Sequence, residues 1–131
     1  MPTLLVVDDE PLVRWSLRER FAADGFRVLE AGTVAEAMAQ VTPAVDAVLL
    51  DFRLPDGDGL TTMRRIKALA PGAAVILMTA ISTVEPAEAI AQGAHEYLRK
   101  PFDLDEASAA VASALVPGRP ASGSRQADRP A

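Results

Sequence analysis

The sequence predicts an α/β domain, a doubly wound, five-stranded parallel sheet with five helices on both faces. Three observations lead there. Half of the 131 residues are hydrophobic, yet there are only one Trp, one Tyr and four Phe, so the core is aliphatic and suited to helices packed on a buried sheet. Short apolar runs alternate with longer segments of helical period, giving strands and helices in succession. The runs at 4–7 and 47–50 are apolar without alternation, as in strands covered on both faces.

Taken in order, the first strand covers residues 4–7. Val13, Leu17 and Phe21 then recur at four-residue spacing with Arg14, Arg18 and Arg20 facing water, which makes one amphipathic helix, closed by Gly25. The second strand covers 26–29. Thr33 and Glu36 open the second helix as a capping box, hydroxyl and carboxylate satisfying exposed amides reciprocally. The third strand covers 47–50, and the third helix 60–69, with Asp58 as its cap and Pro71-Gly72 as its end. A fourth strand at 74–78 leads to a helix near 84–92, where Pro86 is tolerable only in the first turn, since the amide hydrogen it lacks would be unpaired there anyway. A weaker strand at 97–99 precedes a last helix that starts at Asp103, with Asp105 and Glu106 at the positive end of its dipole.

Length favours one domain over residues 1–116, followed at 117–131 by a Pro-, Gly-, Ser- and Arg-rich stretch without apolar period, a flexible tail or linker. Residues 1–116 hold 10 Lys and Arg against 17 Asp and Glu, whereas 117–131 hold 3 against 1. An acidic domain is a poor surface for a nucleic-acid backbone, which needs clustered Lys and Arg, so direct nucleic-acid contact is not expected. There is no cysteine, hence no disulfide framework or thiolate metal site. No basic leader precedes the first apolar run and no run approaches a membrane span, so a soluble cytoplasmic chain without membrane contact is expected.

In a parallel sheet the crossovers are right-handed, and sites form beyond the carboxyl ends of the strands. Asp8 and Asp9 end the first strand, Asp51 the third, Thr79 the fourth and Lys100 the fifth, so all converge on one edge. Carboxylates gathered in a partly buried cleft repel unless a cation is present, and Mg²⁺ is a hard ion that prefers oxygen. It would also neutralise an arriving phosphoryl group, letting a carboxylate act as nucleophile. Asp51 is the candidate nucleophile, alone at the end of "AVLLD" and followed by the turn-rich loop "FRLPDGDG". Thr79 offers a hydroxyl and Lys100 a point charge to phosphoryl oxygens. Singly, each has a plainer reading as a turn former, a cap or a solvated charge; together they make a cation site, a nucleophile, a hydroxyl and an ammonium on one edge.

Over about residues 3–115 the chain resembles the response-regulator receiver domain of two-component signalling, with "VVDDE", "LLDFRLPDGDGL", "LMTA" and "YLRKPF" in the family's order. The resemblance implies a flavodoxin-like sheet with strand order 2-1-3-4-5. It implies that a histidine kinase phosphorylates Asp51, and that Asp9, Asp51 and the backbone carbonyl of Arg53 bind Mg²⁺, with Asp8 acting mainly through water. Thr79, Ala80 and Lys100 would hold the phosphoryl group, and Tyr97 would act as an aromatic switch for the face formed by helix four, strand five and helix five. The peptide before Pro101 would be cis, and Arg53 and Ile81 would tune dephosphorylation, aliphatic Ile81 hindering water and prolonging the phosphorylated state. Pro86 is uncommon for the family and would stiffen the start of helix four.

Residues 107–115, "ASAAVASAL", carry no charge, which suits either a face covered by a partner or second copy, or Ala used for helix propensity. The segments "DDEPLVRWSLRERF" and "KPFDLDEA" look like receivers of sigma-54-dependent transcriptional activators; a free-standing single-domain regulator is the alternative. In either case the domain is a phosphoacceptor and not an enzyme. A phosphatase of the haloacid-dehalogenase type would need an acid two residues after its nucleophile, where this chain has Arg53, and a pseudo-receiver would have no use for the complete set of acids, Thr and Lys.

Overall fold

A computed structural model describes residues 1–80 and 86–115 of the chain. Ile81, the expected first residues of helix four and the expected tail at 117–131 lie outside them. The elements are β1 (Thr3–Val7), α1 (Pro11–Ala23), β2 (Arg27–Ala31), α2 (Val34–Gln40), β3 (Ala47–Asp51), β4 (Arg53–Leu54), β5 (Gly57–Asp58), α3 (Gly59–Leu69), β6 (Ala74–Thr79), α4 (Pro86–Ala91), β7 (Glu96–Arg99) and α5 (Leu104–Ala114). The main sheet is parallel throughout, in the order β2-β1-β3-β6-β7. This is the predicted five-stranded order, because β4 and β5 form a separate two-stranded hairpin. That hairpin occupies the stretch expected as a turn-rich loop.

Alternation along the strands divides the core in two. Leu5, Val7, Val48, Leu50, Val75 and Leu77 share a buried cluster with Val34 and Ala37 of α2, Met63 and Ile66 of α3, and Ala89 of α4. Leu4, Val6, Leu49, Ile76 and Met78 share the other with Leu17 and Phe21 of α1 and Ala107, Ala110 and Val111 of α5. With helices on both faces, the central strands are apolar except at their ends, which explains their lack of polar alternation. Much of the uncharged stretch of α5 is thus core. Ala107, Ala110 and Val111 are buried, and only Ala112 among residues 107–115 is exposed.

Local chemistry sets the helix ends. Asp58 caps α3, its Oδ1 accepting the Thr61 N–H at 2.8 Å, and Asp103 with Glu106 closes a reciprocal box on α5. At α2 only half of the predicted box forms. Thr33 Oγ1 accepts the Glu36 N–H at 3.0 Å, but the Glu36 carboxylate reaches one residue further back to the Gly32 N–H at 2.7 Å. Pro86 is the first residue of α4. The arginines expected to face water are paired: Arg14 and Arg18 with Glu30, and Arg20 with Asp24 and Asp105.

One close approach ties the fold to its edge. A Cβ on Gly59 would lie 2.8 Å from Phe52 Cα and 3.1 Å from Asp51 O, so a side chain here collides with backbone that cannot swing aside. Gly59→Ala is expected to cost about 1–3 kcal/mol of stability, the scale of overpacking a dense interior. The measurement is the urea midpoint; a variant with an unchanged midpoint would show that the loop yields freely.

Candidate functional site

The strand order reverses between β1 and β3. The chain leaves β1 to build β2 on one side and returns to build β3 on the other, opening a crevice at the carboxyl ends of these neighbours. The register Val7↔Leu50 carries Asp8 to the level of Asp51, and Thr79↔Arg99 sets Ala80 beside Lys100. The predicted residues therefore meet. Ligand oxygens of Asp8, Asp9 and Asp51 lie within 4.8 Å of one another, with Asp8 and Asp51 buried and Asp9 exposed. Lys100 reaches among them, its Nζ 2.7 Å from Asp8 Oδ2 and 3.4 Å from Asp51 Oδ2.

Asp8 is saturated. Its N–H donates to the Ala31 carbonyl at 3.0 Å, Oδ1 accepts the Glu10 N–H at 2.9 Å, Oδ2 takes the Lys100 ammonium, and its carbonyl accepts Arg14 Nη1 at 2.6 Å. Asp9 is the exposed acid of the three, while Asp51 Oδ1 receives a long 3.5 Å contact from the Arg53 N–H. The Arg53 side chain is exposed. Thr79 is buried at the end of β6, and Ala80 beyond it is exposed. Tyr97 is buried in the cluster that holds Ala89 and Ala94, and the Lys100–Pro101 peptide is cis.

Two residues not singled out earlier belong to the site. Glu10 Oε1 stands 3.4 Å from Lys100 Nζ. Arg14 spans the Asp8 carbonyl and Glu30, and holds the acid turn against β2. Glu10 is the acid that follows Asp8 and Asp9 in "VVDDE", whereas Arg14 reads in the sequence as a water-facing arginine of the first helix.

Electrostatics shows what the cluster lacks. At an effective dielectric of about 20, two like charges about 4 Å apart repel by about 4 kcal/mol. The three clustered carboxylates, with Glu10 near by, outweigh the single ammonium and leave a net negative charge that a divalent cation would offset. Burial, and then the neighbouring Asp8 charge, push the Asp51 pKa up to about 6 against the opposing pull of Lys100 and the Arg53 N–H. For Lys100 burial works against the charge, but the hydrogen bond and charge of Asp8, supported by Asp51 and Glu10, raise its pKa overall. Hard oxygen donors, mutual proximity and unbalanced charge together fit a hard divalent ion.

Fold and site define a doubly wound α/β domain with an acid cluster at the switch point of its sheet. The chain belongs to the response regulator receiver family, whose domain model matches residues 4–112. It is 45% identical over 114 residues to the DNA-binding transcriptional regulator NtrC of Escherichia coli K12, a match covering 84% of this chain and 24% of NtrC. The chain thus spans about a quarter of the length of this relative. Among solved structures it resembles the non-phosphorylated HemR receiver domain of Leptospira biflexa, with a TM-score of 0.83 and 33% identity over 92% of this chain and 98% of that one. It also resembles the response regulator TrrA of Thermotoga maritima, solved in complex with Mg²⁺-BeF, with a TM-score of 0.77 and 33% identity over 88% of this chain and 100% of that one.

The raised Asp51 pKa has a definite consequence for stability. Between the ordinary 3.8 and about 6 the folded chain keeps a proton that the unfolded chain has lost, so this contribution is fully present below 3.8 and disappears as pH rises through 6. In chelator, the unfolding midpoint is expected to fall between about pH 4 and pH 6.5 more steeply than in Asp51→Asn. Parallel profiles for the two proteins would contradict this assignment.

Proposed function

We propose that this chain is the phosphoacceptor domain of a two-component system, taking a phosphoryl group from a phosphohistidine of a histidine kinase onto Asp51 in an Mg²⁺-dependent step. The observation that carries the proposal is the meeting of Asp8, Asp9, Asp51 and Lys100 at the switch point of a receiver-family sheet.

In the step, an Asp51 carboxylate oxygen attacks phosphorus. The P–N bond to the imidazole breaks as the P–O bond forms, and the departing histidine takes a proton from solvent. The product is an aspartyl phosphate. Asp9, Asp51 and the Arg53 carbonyl would hold Mg²⁺, with Asp8 behind them; bound there, the ion supplies neutralising charge for the carboxylates and the phosphoryl oxygens. Lys100 already stands between Asp8 and Asp51 and needs only a short swing to meet a phosphoryl oxygen. Thr79, at the end of the neighbouring strand, donates its hydroxyl to another, with Ala80 beside it.

The donor would approach over α1, where Leu12 and Trp15 are 73% and 53% exposed. A groove of about 870 Å³ is lined by Leu12, Val13, Phe102 and Leu104 and reaches Lys100. Phosphorylation then acts as a population shift. The new charge favours an arrangement of Thr79, Tyr97 and the α4–β7–α5 face that binds an effector or a second copy better. Similarity to NtrC supports a transcriptional output through an attached or partner effector. The domain is modified and demodified without substrate turnover. In this reading it works in the cytoplasm, and no described helix is long and apolar enough to cross a membrane.

The test is intact-protein mass spectrometry after incubation with acetyl phosphate. The wild-type chain is expected to gain one phosphoryl group with Mg²⁺ and none with excess chelator, and Asp51→Asn none in either case. A wild-type chain that stays unmodified, or an Asp51→Asn chain that is modified equally, would overturn the proposal.

A further inference from the structure

One carboxylate close to the site has no part in that chemistry and is nonetheless fully engaged. Asp56 stands at the turn of the β4–β5 hairpin, five residues beyond the phosphoacceptor. Its Oδ1 accepts the Val34 N–H at 2.7 Å and its Oδ2 the Ala35 N–H at 3.1 Å. These are the first two amides of α2, and Thr33 supplies an acceptor only to the third, Glu36. The hairpin therefore completes the cap of a helix 22 residues earlier in the chain. The bonds from Val34 and then Ala35 hold the Asp56 carboxyl below its ordinary pKa, so it stays charged. Shape agrees with the bonding. A Cβ on Gly57 would come within 3.0 Å of Val34 Cγ2, so hairpin and helix are also in van der Waals contact.

The other end of the β2–α2 junction is tied to the acid turn. The Asp8 N–H donates to Ala31 O, and Arg14 braces the Asp8 carbonyl from α1. A continuous path thus runs from Asp8 through residues 31–34 to Asp56, and back along the hairpin to Arg53. The hairpin has only two residue pairs, Arg53↔Asp58 and Leu54↔Gly57, too few to be rigid alone. Asp58 anchors one end to α3, with Oδ1 on the Thr61 N–H and Oδ2 on the Thr61 hydroxyl. Asp56 anchors the turn.

We propose that Asp56 is a positioning residue for the cation site: by gripping the first turn of α2 it fixes the Arg53 carbonyl relative to Asp8 and Asp9, so that a divalent ion meets preformed oxygens. This rests on the Mg²⁺ site of the proposed function. Outer partners that orient metal ligands commonly govern affinity although they never touch the ion.

The experiment measures Mg²⁺ binding by calorimetry for the wild-type chain, Asp56→Ala and Asp56→Asn, together with metal-free amide hydrogen exchange. Asp56→Ala is expected to weaken Mg²⁺ binding about tenfold, with faster exchange in residues 52–58 and undiminished protection in β1 and β3. Asp56→Asn keeps one acceptor oxygen but sets its amide nitrogen, a donor, against the second N–H, and is expected to fall between wild type and Asp56→Ala. The inference alone is overturned if Asp56→Ala binds Mg²⁺ as wild type does while Val34 and Ala35 lose protection, since the side chain would then serve only the helix. A wild-type chain that takes up no ion overturns the proposed site itself, and the inference with it.

Discussion

Carboxylates forced together by the ends of two neighbouring strands are the constraint on which the rest of this structure depends. Asp8 follows β1 and Asp51 closes β3, and the parallel pairing of those strands leaves neither free to move away. Lys100 compensates part of the repulsion from the far side of the crevice. The remainder shows as an Asp51 carboxyl whose acidity is weakened by burial and by its neighbour. A site kept in electrostatic debt by its scaffold is prepared for a cation and for the charge that a cation brings with it.

The scaffold is stiff where the site needs it. Both faces of the central strands are packed, so their ends are fixed by two independent clusters of aliphatic side chains. Around the crevice, polar bonds replace that packing. Arg14 holds the acid turn, Gly59 lets the loop after Asp51 pass close to the backbone beneath it, and the caps of α2 and α3 clamp the small hairpin. Each of these devices serves an element end, which is where open sheets of this kind place their chemistry.

Much of this was legible in the sequence because it is local. The continuous apolar runs of β1 and β3 and the caps at Asp58 and Asp103 involve residues within a few positions of one another. The misreadings are of two kinds, local bonding at element ends and contacts between residues far apart in the chain. Phe26 looked like the start of a strand, yet its N–H returns to the Phe21 carbonyl and its ring stands edge-on to Phe21 at 5.2 Å, so it closes α1. The second strand instead runs on to Ala31, the partner of Val7. The reach of Arg14 to a strand-end carbonyl and of Asp56 to α2 leaves no periodic mark, since only the fold brings these groups together. The carboxylates, hydroxyl and ammonium could be placed on one edge from the sequence alone, because strand ends in a parallel sheet share an edge whatever their separation along the chain.

The most direct test of the central claim is a pH titration of the Asp51 carboxyl, followed by carbon NMR in aspartate-labelled protein with and without saturating Mg²⁺. The account expects an inflection near pH 6 in the metal-free chain and a clear displacement to lower pH when the ion is added. An inflection at the same pH in both conditions would contradict it, because the clustered acids would then have no cation to reconcile them.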